Sequence, residues 1–340
     1  MLVVDAHAHI VPAHFPALVS RSGGSAPGWP TLEPLADGRG RMMIDSREFR
    51  TLDRAYFDLD ARLALMDRER IDVQVVSPLP ELLGYWLEAD VAVELARLTH
   101  AAAASARAAA PGRIAALGML PLQDIAAAVA MVAEVAAAGL CGVQVGSNVN
   151  GRSIADPVYD PVWAEITRHD LAVWVHGIRP AGTERLLGPG LMVNVIGIPQ
   201  DTALAIASFI TTDVLARHPR LKLGFAHGGG SFGALLDRMD FVWREYPAVR
   251  RTSALSPREY MRRFCFDTVT YSVPYLRYLI DAFGAETLLC GTDGPTPGTR
   301  YDCEATVLDA CGGDRALAAK LLSGNAARFF GLSVQARISP

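Results

Sequence analysis

The sequence contains very little lysine and no excess of positive charge. Lys222 and Lys320 are its only lysines, so nearly all of the 32 basic side chains are arginine, whose planar guanidinium can bind a carboxylate through two hydrogen bonds. Against them stand 36 acidic residues, which leaves a formal net charge of -4. A chain without a basic excess has no general attraction to nucleic acid or to anionic lipid. We therefore expect neither nucleic acid nor a membrane as a partner.

Cysteine is also scarce, and its spacing argues against two kinds of stabilised domain. The five cysteines are an odd number and include no CxxC pair, which disfavours a disulfide framework and a cysteine zinc cluster. The first residues show no basic segment followed by an apolar one, and we find no uninterrupted apolar stretch long enough to cross a bilayer. With 51% hydrophobic residues, the chain is expected to be globular. The cysteine pattern fits the reducing cytoplasm best.

Two further catalytic motifs are misplaced or missing. The one GxSxG match, residues 229–233 around Ser231, comes after the end of its predicted strand and not within a nucleophile elbow, and no phosphate-binding P-loop is present. Its first apolar run, "MLVV", is followed by "DAHAH" and not by the glycine-rich turn that a dinucleotide-binding sheet requires. Chemistry must therefore be sought in other polar residues, above all those at the ends of strands.

Short apolar runs alternate with amphipathic helical stretches, such as residues 59–70, 89–110 and 125–139. This alternation predicts a parallel sheet, and strands that are apolar on both faces are typical of a closed barrel covered by helices. The number and spacing of the predicted strands favour a TIM-type (β/α)8 barrel over an open doubly wound sheet. The eight predicted strands cover residues 2–7, 72–78, 114–120, 142–147, 172–177, 221–228, 264–268 and 287–293.

Two stretches depart from a plain barrel. Residues 20–50 are rich in glycine and proline, and "TLEPLADGRGRMMID" predicts two short strands around the turn at Asp37 and Gly38. We interpret residues 20–50 as a small insertion after the first strand, and residues 188–199 as a second one after the fifth strand. No repeat, charged tail or long linker is evident, so residues 1–340 are expected to form a single domain.

The stretch "DAHAHIVP" carries two histidines one residue apart. In an extended strand, His7 and His9 point to the same face. Two imidazoles on one face can bind one divalent ion such as zinc, although an isolated pair of this kind is as often a hydrogen-bonded structural feature. The interpretation as a metal site therefore depends on what the other strands bring to the same end of the barrel.

Polar residues occur at the ends of four other predicted strands, where a TIM barrel builds its active site. His176 and Asp293 are the further candidates for metal ligands. His227, followed by three glycines, is either a ligand or the group that transfers a proton, and we favour proton transfer. Asp267 either supports the site or caps the helix that follows it.

These motifs resemble one enzyme superfamily. "DAHAH", "VWVHG", "AHGGG" and "CGTDGP" are similar to the motifs of the amidohydrolase superfamily. "FRTLD", "IDVQVVSPLP", "HPRLKLGFAHGGGSF" and "LLCGTDGP" resemble the branch typified by α-amino-β-carboxymuconate-ε-semialdehyde decarboxylase. The similarity extends over essentially the whole chain.

The resemblance implies one divalent metal ion, usually zinc and in some relatives manganese, bound by His7, His9, His176 and Asp293. Binuclear members of the superfamily often carry a carboxylated lysine at the end of strand four. Here that strand, "GVQVGS", has no lysine, which implies a single metal. His227 and Asp293 are the implied catalytic residues.

The resemblance also implies how a carboxylic acid substrate is held. Arg50 and Arg238 match the arginines that bind substrate carboxylates in this branch, where the second arginine reaches into the neighbouring subunit, so a homodimer is implied. This chain has Gly177 and Asn194 where the typical decarboxylase has proline and tryptophan, and Arg179 is a further local difference. Arg179 and Asn194 are therefore candidate substrate contacts for a smaller or more polar acid.

The expected activity is non-oxidative decarboxylation of an unsaturated or aromatic carboxylic acid without an organic cofactor. In this interpretation Arg50 fixes a carboxylate and His227 supplies a proton. One alternative is hydrolysis or hydration of a small carboxylated substrate by the same metal centre, as in lactonases of the superfamily. The other is a catalytically silent barrel that serves as a scaffold.

Overall fold

The computed structural model describes residues 1–18, 26–295 and 301–333, and an eight-stranded parallel sheet lies at its centre. Each strand pairs with its neighbour in the sequence of barrel strands. The last strand returns to the first, because the Ala6 amide donates to the Cys290 carbonyl at 2.7 Å. The predicted TIM-type barrel is thus confirmed. Its strands are β1 (Val4–Ile10), β2 (Val73–Pro78), β3 (Ile114–Met119), β4 (Gly142–Gly146), β5 (Ala172–His176), β6 (Lys222–Phe225), β7 (Cys265–Asp267) and β8 (Leu288–Leu289).

Helices cover the outside of this sheet, and the three amphipathic stretches predicted from the sequence are among them. Several begin at a side chain that accepts a hydrogen bond from the first turn, as Asp58 and Asp124 do. The α-helices in the described part of the chain are Leu59–Arg68, Ala89–Ala109, Ile125–Ala137, Asp160–Arg168, Ile198–Thr211, Val214–Arg217, Phe232–Glu245, Pro247–Arg250, Pro257–Met261, Val273–Phe283, Cys303–Ala310, Arg315–Ala319 and Asn325–Phe330.

Strands β6 and β8 end earlier than the sequence predicts. His227 and Asp293 lie beyond them, with backbone φ angles of 57° and 58°. A positive φ cannot continue a strand, so the chain turns at each of these residues. His227 opens a short 3₁₀ turn, His227–Gly229, and Asp293 follows β8 by four residues. Both side chains are therefore set by turns at the barrel mouth and not by strand pairing.

The insertion after β1 is an antiparallel sheet with three strands, Pro30–Pro34, Gly40–Ile44 and Arg47–Leu52. The turn at Asp37 forms as predicted, because its carboxylate accepts a hydrogen bond from the Arg39 amide at 3.1 Å. Met42 and Leu52 are fully buried and pack this sheet onto the core. Part of the predicted insertion, residues 20–25, lies outside the described residues. The third strand of this sheet carries Arg50, whose guanidinium faces Glu81 in the turn after β2.

The second insertion is largely helical. A π-helical turn, Val193–Gly197, runs directly into the helix Ile198–Thr211. By length and composition alone, Val193–Thr211 is long and apolar enough to cross a membrane, which the sequence analysis did not anticipate. Its apolar residues Ile206, Phe209 and Ile210 are buried against the barrel, as in the core helix of a globular protein. The absence of a membrane partner stays a prediction.

The floor of the barrel is aromatic. Trp174 on β5 is fully buried, and its ring centroid lies 6.3 Å from that of Phe329 and 6.2 Å from that of Phe330, on the helix Asn325–Phe330. Gly224 on β6 leaves room for the indole, because a Cβ there would lie 2.5 Å from the Trp174 ring. The Trp174 ring also makes an edge-type contact with His7, with centroids 5.8 Å apart. Trp174 therefore links the packing of the barrel to its mouth.

Replacing Trp174 with alanine is expected to lower the free energy of unfolding by about 3–5 kcal/mol, because it empties a buried aromatic site that the surrounding strands cannot close. Urea unfolding followed by circular dichroism measures the change. Val158→Ala serves as the control, since Val158 is 40% exposed. A loss for Trp174→Ala no larger than that of the control would show that the floor is not a stabilising part of the core.

Candidate metal centre

His7 and His9 lie next to each other on β1, and both point into the barrel mouth. Their Nε2 atoms are 3.2 Å apart. Both side chains are almost completely buried. The Nδ1 atom of His7 lies 2.6 Å from Asp267 Oδ2, and that of His9 lies 3.2 Å from Ser77 Oγ. Hydrogen bonds at Nδ1 orient each ring and direct Nε2 towards the centre of the mouth, as is typical of metal-binding histidines.

His176 ends β5 and joins this group from the opposite wall. Its Nδ1 lies 2.8 Å from the carbonyl oxygen of Gly177, so the N–H is at Nδ1 and Nε2 presents a lone pair. Its ring centroid lies 5.3 Å from those of His7 and His9, and 4.8 Å from that of His227. The Nδ1 atom of His227 is buried without a hydrogen-bond partner in the described part of the chain.

Asp293 supplies the carboxylate of the group. Its Oδ1 lies 3.0 Å from His9 Nε2 and 3.3 Å from His7 Nε2, and its Oδ2 lies 3.5 Å from His227 Nε2. The Asp293 backbone amide donates to the His7 carbonyl at 2.8 Å, which fixes the turn after β8 against β1. The two ends of the barrel sheet thus bring the carboxylate to the histidines.

The arrangement fits one divalent cation. One ligand atom from each of His7, His176, His227 and Asp293 lies within 4.8 Å of the others. His9 is not part of this group of four, but its Nε2 lies 3.2 Å from His7 Nε2 and 3.0 Å from Asp293 Oδ1, so it is a fifth candidate ligand beside them. Imidazole nitrogens and a carboxylate oxygen are the donors that zinc and related transition metals prefer. A cation at this point would satisfy lone pairs that cannot hydrogen-bond one another.

The charges of the group are strongly coupled. Burial lowers the pKa of His7, but Asp293 and Asp267 outweigh it and raise that pKa to about 9. Burial, together with the charge of His7, lowers the pKa of His9 to about 4. Burial raises the pKa of Asp293, but His7 and its other histidine neighbours hold it well below the usual range. The ionised form of Asp293 is therefore favoured beside the positive charge of His7.

Asp267 supports the cluster and does not cap the following helix. Besides the His7 ring, its carboxylate accepts hydrogen bonds from the backbone amides of His227 at 2.8 Å and of Gly228 and Val269 at 2.9 Å. Ser272 instead caps the helix Val273–Phe283. These contacts hold the pKa of Asp267 low although burial opposes this. Asp267 thus positions His7 and the turn that carries His227.

A second buried network below the histidines was not identified from the sequence. The Asp5 carboxylate accepts hydrogen bonds from Gln74 Nε2 at 2.8 Å and from Thr292 Oγ1 at 2.7 Å, which joins β1, β2 and the turn after β8. Arg62, fully buried, donates to Gln74 Oε1 at 2.6 Å and to the His9 carbonyl at 2.5 Å. The position of Asp5 two residues before His7, on the same strand face, was the available signal.

The predicted substrate arginines do not all lie at the cluster. Arg50, about one third exposed, faces Glu81, whose Oε1 lies 3.5 Å from Arg50 Nη2. Arg179 is exposed, and its guanidinium lies 3.3 Å from the ring centroid of Trp86. Asn194 is exposed and its side chain makes no hydrogen bond within the described ranges. Arg238 is exposed on the helix Phe232–Glu245. Substrate binding by Arg50, Arg179, Asn194 and Arg238 stays a prediction.

The fold and the site together define a class. It is a (β/α)8 barrel whose mouth holds histidines at or just after three strand ends and one aspartate after β8, a group that could hold one metal ion where such barrels build their active sites. The chain belongs to the Amidohydrolase family, whose model matches residues 4–332. This agrees with the resemblance found in the sequence motifs.

Known relatives narrow the class. The chain is 32% identical to 2-amino-3-carboxymuconate-6-semialdehyde decarboxylase of Dictyostelium discoideum, over 97% of this chain and 92% of that one. It is similar to the crystal structure of 5-carboxyvanillate decarboxylase LigW from Sphingomonas paucimobilis, with 27% identity, a TM-score of 0.75 and coverage of 82% and 85%. It shares its fold with a dihydroxybenzoic acid decarboxylase from Polaromonas sp. JS666 with bound manganese, at 21% identity, a TM-score of 0.72 and coverage of 82% and 88%.

Replacing Asp267 with asparagine is expected to weaken zinc binding by about 10- to 100-fold, because the amide cannot hold the His7 ring as the carboxylate does. Competition of the metal-free protein with a chromogenic chelator measures the affinity. Asp281→Asn, an exposed change on the helix Val273–Phe283, is the matched control. Equal zinc affinities for both variants would show that Asp267 does not position a ligand.

Proposed function

We propose that this protein is a metal-dependent carboxy-lyase that removes carbon dioxide from an unsaturated or aromatic carboxylic acid, without an organic cofactor. The observation that carries the proposal is the arrangement at the barrel mouth. A group of histidines and one carboxylate suited to one cation includes His227, whose Nε2 is 3.5 Å from Asp293 Oδ2. The membership of the family and the similarity to decarboxylases over nearly the whole chain support the same activity.

The proposed metal ligands are His7, His9, His176 and Asp293, with zinc as the ion. Three imidazoles and one carboxylate form a donor set typical of zinc, and each of the three rings is oriented through its Nδ1. Manganese is the alternative, since the related Polaromonas decarboxylase binds it. When bound, the ion supplies positive charge that stabilises negative charge developing on the substrate.

The residues of the chain supply binding and proton transfer. Arg50 holds the substrate carboxylate through its guanidinium, at the side of the mouth formed by the inserted sheet. Loss of carbon dioxide leaves an electron pair on carbon, and that carbon must receive a proton. His227 Nε2 is the proposed donor, oriented by the hydrogen bond from its backbone amide to Asp267. Asp293 lies beside His227, with its Oδ2 3.5 Å from the ring Nε2.

Hydrolysis or hydration of a small carboxylated substrate is the alternative reaction, because the same cluster could equally activate water. A catalytically silent barrel is the other alternative. The buried Nδ1 of His227, which has no partner among the described residues, argues against a purely structural histidine there. The three possibilities differ in the mass of the product. Decarboxylation removes carbon dioxide, hydration or hydrolysis adds water, and a silent barrel leaves the acid unchanged.

Incubation of the zinc-loaded protein with a panel of hydroxybenzoates and carboxymuconate semialdehydes is expected to release carbon dioxide from at least one acid. The product should then be lighter by one carbon dioxide, and chelation of the metal should abolish turnover. His227→Ala is expected to lower kcat by about 10²–10⁴-fold while metal content is retained, as loss of a general acid predicts. His218→Ala, away from the cluster, is the control.

A product heavier than the substrate by one water would show that the reaction is hydration or hydrolysis and not decarboxylation. No turnover of any acid by the metal-loaded protein would favour the silent barrel. Loss of the metal in His227→Ala would make His227 a ligand instead of the proton donor.

We further propose that the protein acts as a homodimer in the cytoplasm. The helices Ile198–Thr211 and Phe232–Glu245 border an apolar groove of about 470 Å³ that includes Arg238. Leu204 and Leu235 on its walls are 63% and 46% exposed. Arg238 makes no ion pair with any residue in the described ranges, as expected of a side chain that serves a second copy. The family role of the corresponding arginine supports this assignment.

Co-expression of Arg238→Ala with His227→Ala tests the dimer. Each variant alone is expected to be nearly inactive, whereas the mixture should recover about a quarter of wild-type activity, since half of randomly formed dimers are mixed and carry one complete site. Gel filtration of the wild type provides the parallel measurement. An active monomer, or a mixed dimer without recovered activity, would contradict the proposal.

A further inference from the structure

Glu81 is an acidic residue in an otherwise apolar turn at the barrel mouth. It lies in the 3₁₀ turn Pro80–Leu83, which directly follows β2. Its neighbours Leu82 and Leu83 are 1% and 0% exposed and belong to the core. Glu81 instead faces Arg50, the residue proposed to hold the substrate carboxylate. A carboxylate at this position is not required for packing, because apolar side chains already anchor the turn on both sides.

The hydrogen-bonding capacity of Glu81 is only half used. Its Oε1 lies 3.5 Å from Arg50 Nη2, at the outer limit of a hydrogen bond. Its Oε2 is buried and has no hydrogen-bond partner in the described part of the chain. Buried carboxylate oxygens are rarely left without a donor, so such an oxygen next to a binding site indicates that a ligand supplies one.

Glu81 lies in surroundings that disfavour its charge. Burial raises its pKa, Arg50 opposes this rise, and the negative charge of Asp293 adds to it. Its side chain and that of Arg50 nevertheless remain partly accessible, at 25% and 34% exposed.

We propose that Glu81 is a specificity residue whose free oxygen accepts a hydrogen bond from a hydroxyl or amino group of the acid that Arg50 binds. This inference rests on the proposed function and names the class of substrate more narrowly. Arg50 and Glu81 together present a cation and an anion side by side. They match a substrate that carries a carboxylate and, near it, a hydrogen-bond donor.

The charge of Glu81 selects against two other kinds of acid. A second carboxylate at this position would meet the carboxylate of Glu81, and like charges in a partly buried site repel. A methoxy or methyl group would leave Oε2 buried without a donor. Only a donor group satisfies the oxygen, so the preference arises from what the site rejects as well as from what it binds.

A merely structural role for Glu81 would be to hold Arg50 in place. In that case loss of Glu81 would weaken the binding of all carboxylic acids to the same extent. The proposed role instead predicts that loss of Glu81 weakens the binding of acids that carry a donor group. The binding of the matched acids without a donor group should stay unchanged. The ratio of the two affinities therefore separates the roles.

The experiment measures binding, independently of turnover. The probes are the 2-, 3- and 4-hydroxybenzoates and aminobenzoates, each paired with its methoxybenzoate, titrated into the zinc-loaded protein by calorimetry. Wild type is expected to bind the best donor isomer at least about 10-fold more tightly than its methoxy partner. In Glu81→Leu this ratio should fall to near one, through weaker binding of the donor acid. Glu81→Gln, which keeps an acceptor oxygen, should retain part of the preference.

Glu88→Leu is the matched control, because Glu88 is exposed seven residues further along the same segment and should leave the ratio unchanged. A wild type without preference for the donor acid, or a preference that survives Glu81→Leu, would overturn the role of Glu81. Equal weakening of both acids would reduce Glu81 to a support for Arg50 and overturn it as well. Failure of the proposed function is distinguishable, because it appears separately as the absence of carbon dioxide release by wild type.

Discussion

The ring of His7 is the contact on which the rest of the site depends. The ring is held on one side by Asp267 at the end of β7 and on the other by Asp293 after β8, while its own strand begins the barrel. The backbone carbonyl of His7 accepts the Asp293 amide, one residue along β1 from the Ala6 amide that closes the barrel. Trp174 packs beneath it. Closure of the sheet and formation of the metal centre are therefore one structural event.

The side chains at the barrel mouth are positioned in two ways, by strand ends and by turns. Strand ends position the three proposed histidine ligands, because paired strands and Nδ1 hydrogen bonds fix each imidazole. Turns position the other groups: Asp293 and His227 lie in turns with positive φ, and Glu81 in the turn after β2. The proposed specificity of Glu81 belongs to this second group.

The sequence predicted the barrel and the core of the site well, because both rest on strong periodic signals. The alternation in β1 places His7 and His9 on one face, and the apolar run before His176 places it at a strand end. The lengths of β6 and β8 were overestimated, since turns with positive φ do not show in hydropathy. Glu81 was missed because "PLPELL" has the pattern of an apolar turn, and only tertiary contact with Arg50 shows what it faces.

The central claim is that the histidines of the barrel mouth and Asp293 surround a single divalent ion. X-ray absorption spectroscopy at the zinc edge, on protein loaded with one equivalent of zinc, tests it directly. The account predicts one ion with about three imidazole nitrogens at roughly 2.0–2.1 Å and one carboxylate oxygen at a similar distance. Sulfur ligands, a second metal at short distance, or an ion without imidazole scattering would contradict it.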